Sequence, residues 1–111
     1  MQSSARRLKG AAPVFAALGD ETRLAIVVRL CAGGPGSISH LTEGSDVTRQ
    51  AITKHLQVLA EAGLVRDVRR GRERIWEVES RRLEDARRYL DEISKGWDKA
   101  LNRLKKMVEE N

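Results

Sequence analysis

The stretch TRQAITKHL, residues 48–56, places apolar and polar side chains on different sides of a predicted helix. Ile52 and Leu56 are four residues apart, so they share one helical face and can pack against a core. The side chains that point away from this apolar face are Arg49, Gln50, Thr53 and Lys54. An amide can bond the edge of adenine, a basic group can bond guanine, and threonine can meet a thymine methyl group or a phosphate. These residue types are able to contact base edges, although in isolation an ordinary solvated helix face explains them as well; it is their position at the start of a helix after a tight turn that favours base contact.

A second group of candidate side chains lies in the basic stretch RDVRRGRER, residues 66–74, which holds five arginines and two acidic residues. Arg70 and Arg72 flank a glycine at the predicted tip of a hairpin, where guanidinium groups suit phosphates or a minor groove. Arg74 shares a strand face with Trp76, so stacking on the indole is its alternative role. The alternative for the whole stretch is a charged, solvated hairpin.

The composition limits the classes of protein to which the chain can belong. It has 111 residues, 33% charged and 41% hydrophobic, which predicts one soluble globular domain over residues 1–111. The net charge of +5 favours a polyanionic partner, although a basic surplus can also serve solubility. We find no apolar run long enough to span a membrane, no secretory signal, and a single cysteine, Cys31. We therefore expect no membrane association and a cytoplasmic location.

The N-terminal half predicts two helices. Residues 1–10 are polar and are expected to be frayed or weakly helical, and Pro13 suits the first turn of a short helix that ends at Leu18. Asp20 is a good N-cap for the next helix, which residues 33–35 terminate. The apolar side chains of this second helix form a wide stripe and indicate a central core helix; they are Leu24, Ile26, Val27, Val28, Leu30 and Cys31.

The rest of the chain predicts a helix-turn-helix, a hairpin and a long helix. Ser37 and Thr48 are N-cap residues for two helices that span about residues 37–62 and are separated by a tight glycine-containing turn. The period then changes to that of two strands at about 64–79. This order predicts a mostly α (α+β) fold, a winged helix-turn-helix with a two-stranded wing, whose second helix enters the major groove of DNA.

The last helix, about residues 80–109 with Ser80 as its cap, carries a nearly heptad apolar stripe. We predict that this stripe mediates dimerisation, and intramolecular packing is the alternative. The residues assigned to the dimer interface are Leu83, Leu90, Ile93, Trp97, Leu101 and Leu104.

Three motifs give the chain a resemblance to a known family. ALGDETRLAIVVRL (17–30), VTRQAITKHLQVLAEAGLV (47–65) and RRGRERIWEV (69–78) occur in this order and at the spacing of the ArsR/SmtB family of winged-helix transcriptional regulators. The resemblance covers about residues 13–80. It implies a cytoplasmic homodimer that binds a double-stranded operator, most often as a repressor.

The chain departs from the metal-sensing members of that family. In the stretch SISHL, Ser37 and Ser39 stand at the positions of the cysteines of a common metal site, and hydroxyl groups are poor ligands for thiophilic ions. The last helix contains no histidine. We therefore expect no metal and no cofactor, and the long final helix resembles a metal-independent branch.

The remaining candidate residues favour structural roles. Cys31 is expected to be a small buried hydrophobic residue, with redox sensing as the alternative, and His55 to be partly buried and bonded to backbone or phosphate. We find no catalytic constellation and predict that the protein is not an enzyme. The predicted function is sequence-specific DNA binding as a homodimeric repressor on an imperfect palindrome, under a small-molecule or protein effector that the sequence does not name. A winged-helix protein-interaction module without DNA binding is the alternative.

Overall fold

The computed structural model describes the backbone of residues 2–110 and the side chains of residues 10–110. Five helices and one hairpin follow each other along the chain. They are α1 (Gln2–Leu18), α2 (Glu21–Gly33), α3 (Ile38–Thr42), α4 (Arg49–Glu61), β1 (Val65–Arg70), β2 (Glu73–Val78) and α5 (Ser80–Glu110). The two strands are antiparallel, and Val65 pairs with Val78 at the open end of the hairpin. The predicted winged helix-turn-helix with a long C-terminal helix is confirmed.

Three helices begin where short polar side chains bond the free N–H groups of the first turn. The carboxylate of Asp20 accepts from the backbone N–H of Arg23, the Ser37 hydroxyl accepts from His40, and the Thr48 hydroxyl accepts from Ala51 at 3.1 Å. These three predicted caps are therefore confirmed, and each such bond stabilises a helix by about 1 kcal/mol.

The core lies where α1, α2, α4 and the open end of the hairpin meet. Leu56, Leu59 and Leu64 are completely buried, and Trp76 of β2 is 3% exposed. Backbone bonds between Trp76 and Gly36, in both directions, attach the hairpin to the segment between α2 and α3. The wing and the helix-turn-helix therefore share one core.

The first helix is longer than the sequence predicted. Residues 2–10, expected to be frayed or weakly helical, belong to α1, which continues through Pro13 to Leu18. Pro13 is exposed, whereas Ala11, Val14 and Ala17 are buried, and α1 packs on both α2 and α5. Tertiary burial on both sides of the proline therefore compensates for the helical hydrogen bond that a proline cannot donate.

The second helix buries only one side of its apolar stripe. Ile26, Val27 and Leu30 are buried, but Leu24 and Val28 are exposed. Cys31, which lies on the same outward face at steps of four and three, is also exposed. The prediction that Cys31 is a buried hydrophobic residue is wrong, because α2 has core on one side only.

The last helix packs on the domain only near its start. It begins at Ser80, which is its first residue rather than its cap. Ala86 is buried, Leu83 packs against the core, and Tyr89 meets Phe15 of α1 edge to face with 6.5 Å between ring centroids. Leu83 therefore follows the intramolecular alternative, whereas the other five residues assigned to the dimer interface are exposed.

We predict that Gly63→Ala destabilises the protein. Gly63 ends α4 with a φ of +78°, and an added Cβ would lie 2.9 Å from Cγ of Arg82. An L-residue in the left-handed region costs about 1–2 kcal/mol, so the melting temperature should fall by roughly 4–8 °C or more. Gly33→Ala is the matched control, because its φ is ordinary and an added Cβ meets nothing within 4 Å. Equal melting temperatures for the two variants would contradict this account of the turn.

Candidate nucleic-acid interface

The orientation of α4 follows from its apolar side. Ile52, Leu56 and Leu59 are 2%, 0% and 0% exposed, so this side is fixed against the core. The opposite side faces solvent and carries Gln50 and Lys54, both exposed. Residues 47–60 contain no acidic side chain. The structure therefore presents the face that the sequence singled out as an exposed surface without negative charge.

The turn between α3 and α4 is stabilised by one local hydrogen bond and by contacts from α2. Ser45 accepts from the backbone N–H of Val47, and Gly44 has a φ of +69°. Arg29 of α2 donates to the carbonyl oxygens of Leu41 at 3.0 Å and Glu43 at 3.4 Å. These carbonyls lie at the C-terminal end of α3, so Arg29 ties the short helix to the central one. This contact could not be predicted from local sequence patterns, because it joins residues more than ten positions apart.

Two of the polar side chains on α4 are already engaged within the chain. Arg49 donates to the hydroxyl oxygen of Ser39 at 3.2 Å, and Thr53 donates its hydroxyl proton to the carbonyl oxygen of Arg49 at 2.9 Å. Ser39 was not among the predicted site residues. Because the Thr53 hydroxyl is used internally, its methyl group is the part left to contact a ligand.

The hairpin arginines divide into a paired and an unpaired set. Arg66 donates to Glu77 at 2.7 Å and lies 3.4 Å from Glu79, and Arg74 donates to Asp67 at 2.7 Å. The arginines that make no ion pair with any described side chain are Arg69, Arg70 and Arg72. The free positive charge is therefore concentrated at the tip of the wing, at the two predicted arginines and at Arg69, which the prediction left out.

The Arg74 side chain is held within the wing by contacts to Trp76 and Asp67. Its guanidinium carbon lies 5.3 Å from the centroid of the Trp76 ring, so the stacking alternative is confirmed. The hydrogen bond from Arg74 to Asp67 lowers the pKa of that carboxyl group, and nearby arginine charges lower it further. The pair is therefore fully charged at neutral pH. In the strand register Arg69 lies opposite Arg74, and Arg74 already pairs with Asp67 on that face of the hairpin. Arg69 therefore has no acidic partner there.

Within the chain, His55 faces a carboxylate. Its Nδ1 lies 3.9 Å from Oδ2 of Asp20, and its side chain is 24% exposed. The predicted partial burial is therefore confirmed, and the nearest charged group within the chain is the Asp20 carboxylate. The pKa of Asp20 is lowered, chiefly by the backbone N–H of Arg23, and also by the charges of Arg23 and His55.

The described residues contain no group of three or more histidine, cysteine, aspartate or glutamate side chains that could hold a metal ion. Ser37 and Ser39 are engaged in hydrogen bonds, one as a helix cap and one with Arg49. In the described part of the chain, no helix is both long enough and apolar enough to cross a membrane.

This fold and its exposed basic surface define a winged helix-turn-helix regulator, and comparison with known proteins shows the family. Residues 18–68 match the family described as a helix-turn-helix domain. The HTH-type transcriptional regulator Rv2034 of Mycobacterium tuberculosis is 37% identical over 93 residues, which cover 84% of this chain and 83% of that protein. The chain belongs to the ArsR family of DNA-binding transcriptional regulators.

Further similarities agree with this family. The structure of an ArsR-like transcriptional regulator from Rhodococcus sp. RHA1 has a TM-score of 0.72 and 39% sequence identity, and the match covers 89% of this chain and 92% of that one. The arsenical resistance operon repressor of Bacillus subtilis is 39% identical over 51 residues, 46% of this chain and 49% of that protein.

We predict that zinc, cadmium and arsenite leave the DNA affinity of this protein unchanged. The two serine hydroxyls at the family's cysteine positions are weak ligands for soft ions and are engaged in other bonds. Binding curves for EDTA-treated protein, with and without each ion, provide the measurement. Stoichiometric metal bound through the Cys31 thiolate or an imidazole, with a shifted DNA affinity, would refute the prediction.

Proposed function

We propose that this protein is a sequence-specific DNA-binding repressor that acts as a homodimer on an imperfect palindrome. The observation that carries the proposal is the exposed, acid-free face of α4 together with three wing arginines that form no ion pair with a described side chain. A helix of this kind reads base edges in the major groove, while the neighbouring basic wing lies on the backbone. The absence of acidic side chains from residues 47–60 disfavours the rival protein-interaction module.

The proposed DNA contacts have two roles: some recognise base edges, and others bind the sugar-phosphate backbone. Gln50 and Lys54 are exposed near the N-terminal end of α4, so we assign them to base edges. The Thr53 methyl group suits a thymine methyl group. Arg49, positioned by Ser39, and the N-terminus of α4 at Thr48 suit a phosphate. The basic side chains at the wing tip suit further phosphates or the minor groove; they are Arg69, Arg70 and Arg72.

The homodimer is proposed because α5 leaves a long apolar stripe uncovered. Two copies related by a two-fold axis place their α4 helices about 34 Å apart, one turn of DNA, which predicts a palindromic operator. Repression is proposed from the relative in Bacillus subtilis that is described as an operon repressor. We propose no catalytic activity, because the relatives are transcriptional regulators.

Gln50→Ala should lose sequence preference. We expect it to cost about 1–3 kcal/mol on the cognate site and to relax the preference at one base pair of each half-site, because a bidentate contact is removed. Gln57→Ala is the matched control, since the same residue type lies two turns further along the same face and away from the N-terminal end. Titration of both variants on cognate and scrambled duplexes gives the measurement. If Gln50→Ala binds both the cognate and the scrambled duplexes like the wild type, Gln50 does not recognise a base.

Arg72→Ala should weaken binding to cognate and scrambled DNA alike. A lost phosphate contact makes the dependence of log affinity on log salt shallower by about one unit per contact. Arg74→Ala is the control for charge, because the Arg74 side chain is held by Asp67 and Trp76 and should affect thermal stability more than the salt slope. An unchanged salt slope for Arg72→Ala would show that the wing tip does not hold DNA.

Deletion of residues 95–111 should lower the oligomeric state and weaken operator binding. The deletion removes most of the exposed apolar stripe of α5, including Trp97. Deletion of residues 109–111 alone is the control, because it removes no apolar side chain. For both truncated proteins, sedimentation measures the oligomeric state and titration with operator DNA measures the affinity. If the longer truncation stays dimeric and binds normally, α5 is not the dimer interface.

A further inference from the structure

The short helix α3 is held at its two ends by different parts of the molecule. Before its start, Gly36 and Trp76 exchange two backbone hydrogen bonds of 2.9 and 2.8 Å, which attach this segment to the hairpin. Within the five residues of α3, only Leu41 is buried. A helix this short depends on tertiary contacts, and one buried side chain fixes its direction poorly. The direction of α3 therefore depends on what holds its other end.

Arg29 of α2 holds the other end of α3. Its Nη1 donates to the carbonyl oxygen of Leu41 at 3.0 Å and to that of Glu43 at 3.4 Å, and the residue is half-buried. In a longer helix the Leu41 carbonyl would accept from the N–H of Ser45, but that N–H bonds Thr42 instead. The guanidinium group of Arg29 therefore provides a donor that the end of this helix lacks.

The contact from Arg29 acts on the backbone and not on an acidic side chain. Arg29 forms no ion pair with any side chain that the structure describes, and the Glu43 carboxylate lies 3.8 Å from Nδ1 of His40. A hydrogen bond from a charged donor is shorter and stronger than one from a neutral donor. Arg29 therefore fixes the path of the main chain where α3 ends and the turn begins.

This main-chain segment leads directly into the proposed DNA contacts. Residues 43–48 connect α3 to α4, and Thr48 caps the N-terminus of α4. Arg49, in the first turn of α4, donates to the hydroxyl oxygen of Ser39 on α3 at 3.2 Å. A change in the direction of α3 would therefore move the group that positions Arg49, together with the free N–H groups at the start of α4.

We propose that Arg29 is a positioning residue for DNA recognition. It acts without touching DNA, through the end of α3 and the hydrogen bond between Ser39 and Arg49. Its effect is to keep the first turn of α4 in the orientation that binds the phosphate backbone. This inference rests on the DNA binding of the proposed function and adds a residue of α2 to it. The alternative is that Arg29 stabilises the fold and nothing more.

Arg29→Met tests the proposal, with Arg23→Met as the matched control. Methionine keeps an apolar stem but removes the charge and the donors. Arg23 lies on the same helix, and its Nε donates to the carbonyl oxygen of Ala17 near the end of α1 at 2.6 Å. The control therefore loses the same charge and a bond of the same kind, away from the helix-turn-helix. Both variants should melt at a lower temperature than the wild type.

DNA titrations are made at a temperature at which circular dichroism shows that both variants are folded. The affinity of Arg29→Met for the cognate duplex should fall roughly tenfold, the effect of losing about one DNA contact. Its dependence on salt should also become shallower, because the phosphate contacts of the first turn are weakened. Arg23→Met should keep the affinity and the salt dependence of the wild type. A purely structural role would leave both quantities unchanged in the two folded variants.

Hydrogen exchange detects the contact without DNA. Arg29→Met should speed the exchange of the bonded amides of Glu43 and Ser45 in the turn, whereas Arg23→Met should not. Arg29→Lys keeps the charge and a donor, so its affinity and its exchange in the turn should change together, whether it restores both or neither. Affinity restored by Arg29→Lys without slower exchange would show that only the charge matters and would overturn the proposal.

A double variant tests the route through Arg49. If Arg29 acts by positioning Arg49, then Arg29→Met combined with Arg49→Ala loses less affinity than the product of the two single losses, because the same contact is lost only once. Fully multiplicative losses would contradict this route.

The outcomes separate this inference from the proposed function. Equal DNA affinities of folded Arg29→Met and Arg23→Met overturn the positioning role and leave DNA binding standing. A loss confined to Arg29→Met, accompanied by faster exchange in the turn, supports the positioning role. A wild-type protein that binds no duplex overturns both the inference and the proposed function.

Discussion

The burial of Ile52, Leu56 and Leu59 is the interaction on which the rest of the structure depends. These three side chains fix one side of α4 against a core shared by α1, α2 and the open end of the hairpin. Because the buried side cannot rotate without exposing this apolar surface, the opposite side of α4 always faces solvent. Large-to-small substitutions at such positions cost about 2–5 kcal/mol, which is a large part of the stability of a small domain. Core packing therefore decides which side chains of α4 are exposed, and these are the ones that we propose to contact DNA.

The arginines of the hairpin likewise fall into two groups: those that pair with side chains of the protein and those that remain available to a ligand. Arg66 and Arg74 are paired with acidic side chains at 2.7 Å, and Arg74 also covers Trp76. These pairs are exposed and contribute little stability individually. Their effect is to remove two of the five positive charges from the surface available to DNA. The charges that remain are at the tip of the wing, where we propose that they contact a phosphate backbone.

The sequence predicted those features that depend on neighbouring residues. The caps at Asp20, Ser37 and Thr48 are confirmed because each bond spans only three residues. The hairpin and the exposed face of α4 follow from periodicity in the same way. The sequence-based predictions were wrong where segments distant in sequence determine the environment of a residue. Residues 2–10 continue a helix whose later part packs on α2 and α5, and Cys31 is exposed because α2 has core on one side only.

The most direct measurement of the central claim is selection of bound duplexes from random DNA by the full-length protein. It tests binding, base readout and dimer geometry together. We expect enrichment of an imperfect palindrome whose half-site centres lie about 10 base pairs apart, one helical turn. Enrichment of a single unrepeated motif would contradict the two-fold arrangement of the α4 helices. No enrichment over the starting library would contradict base reading by the exposed face of α4.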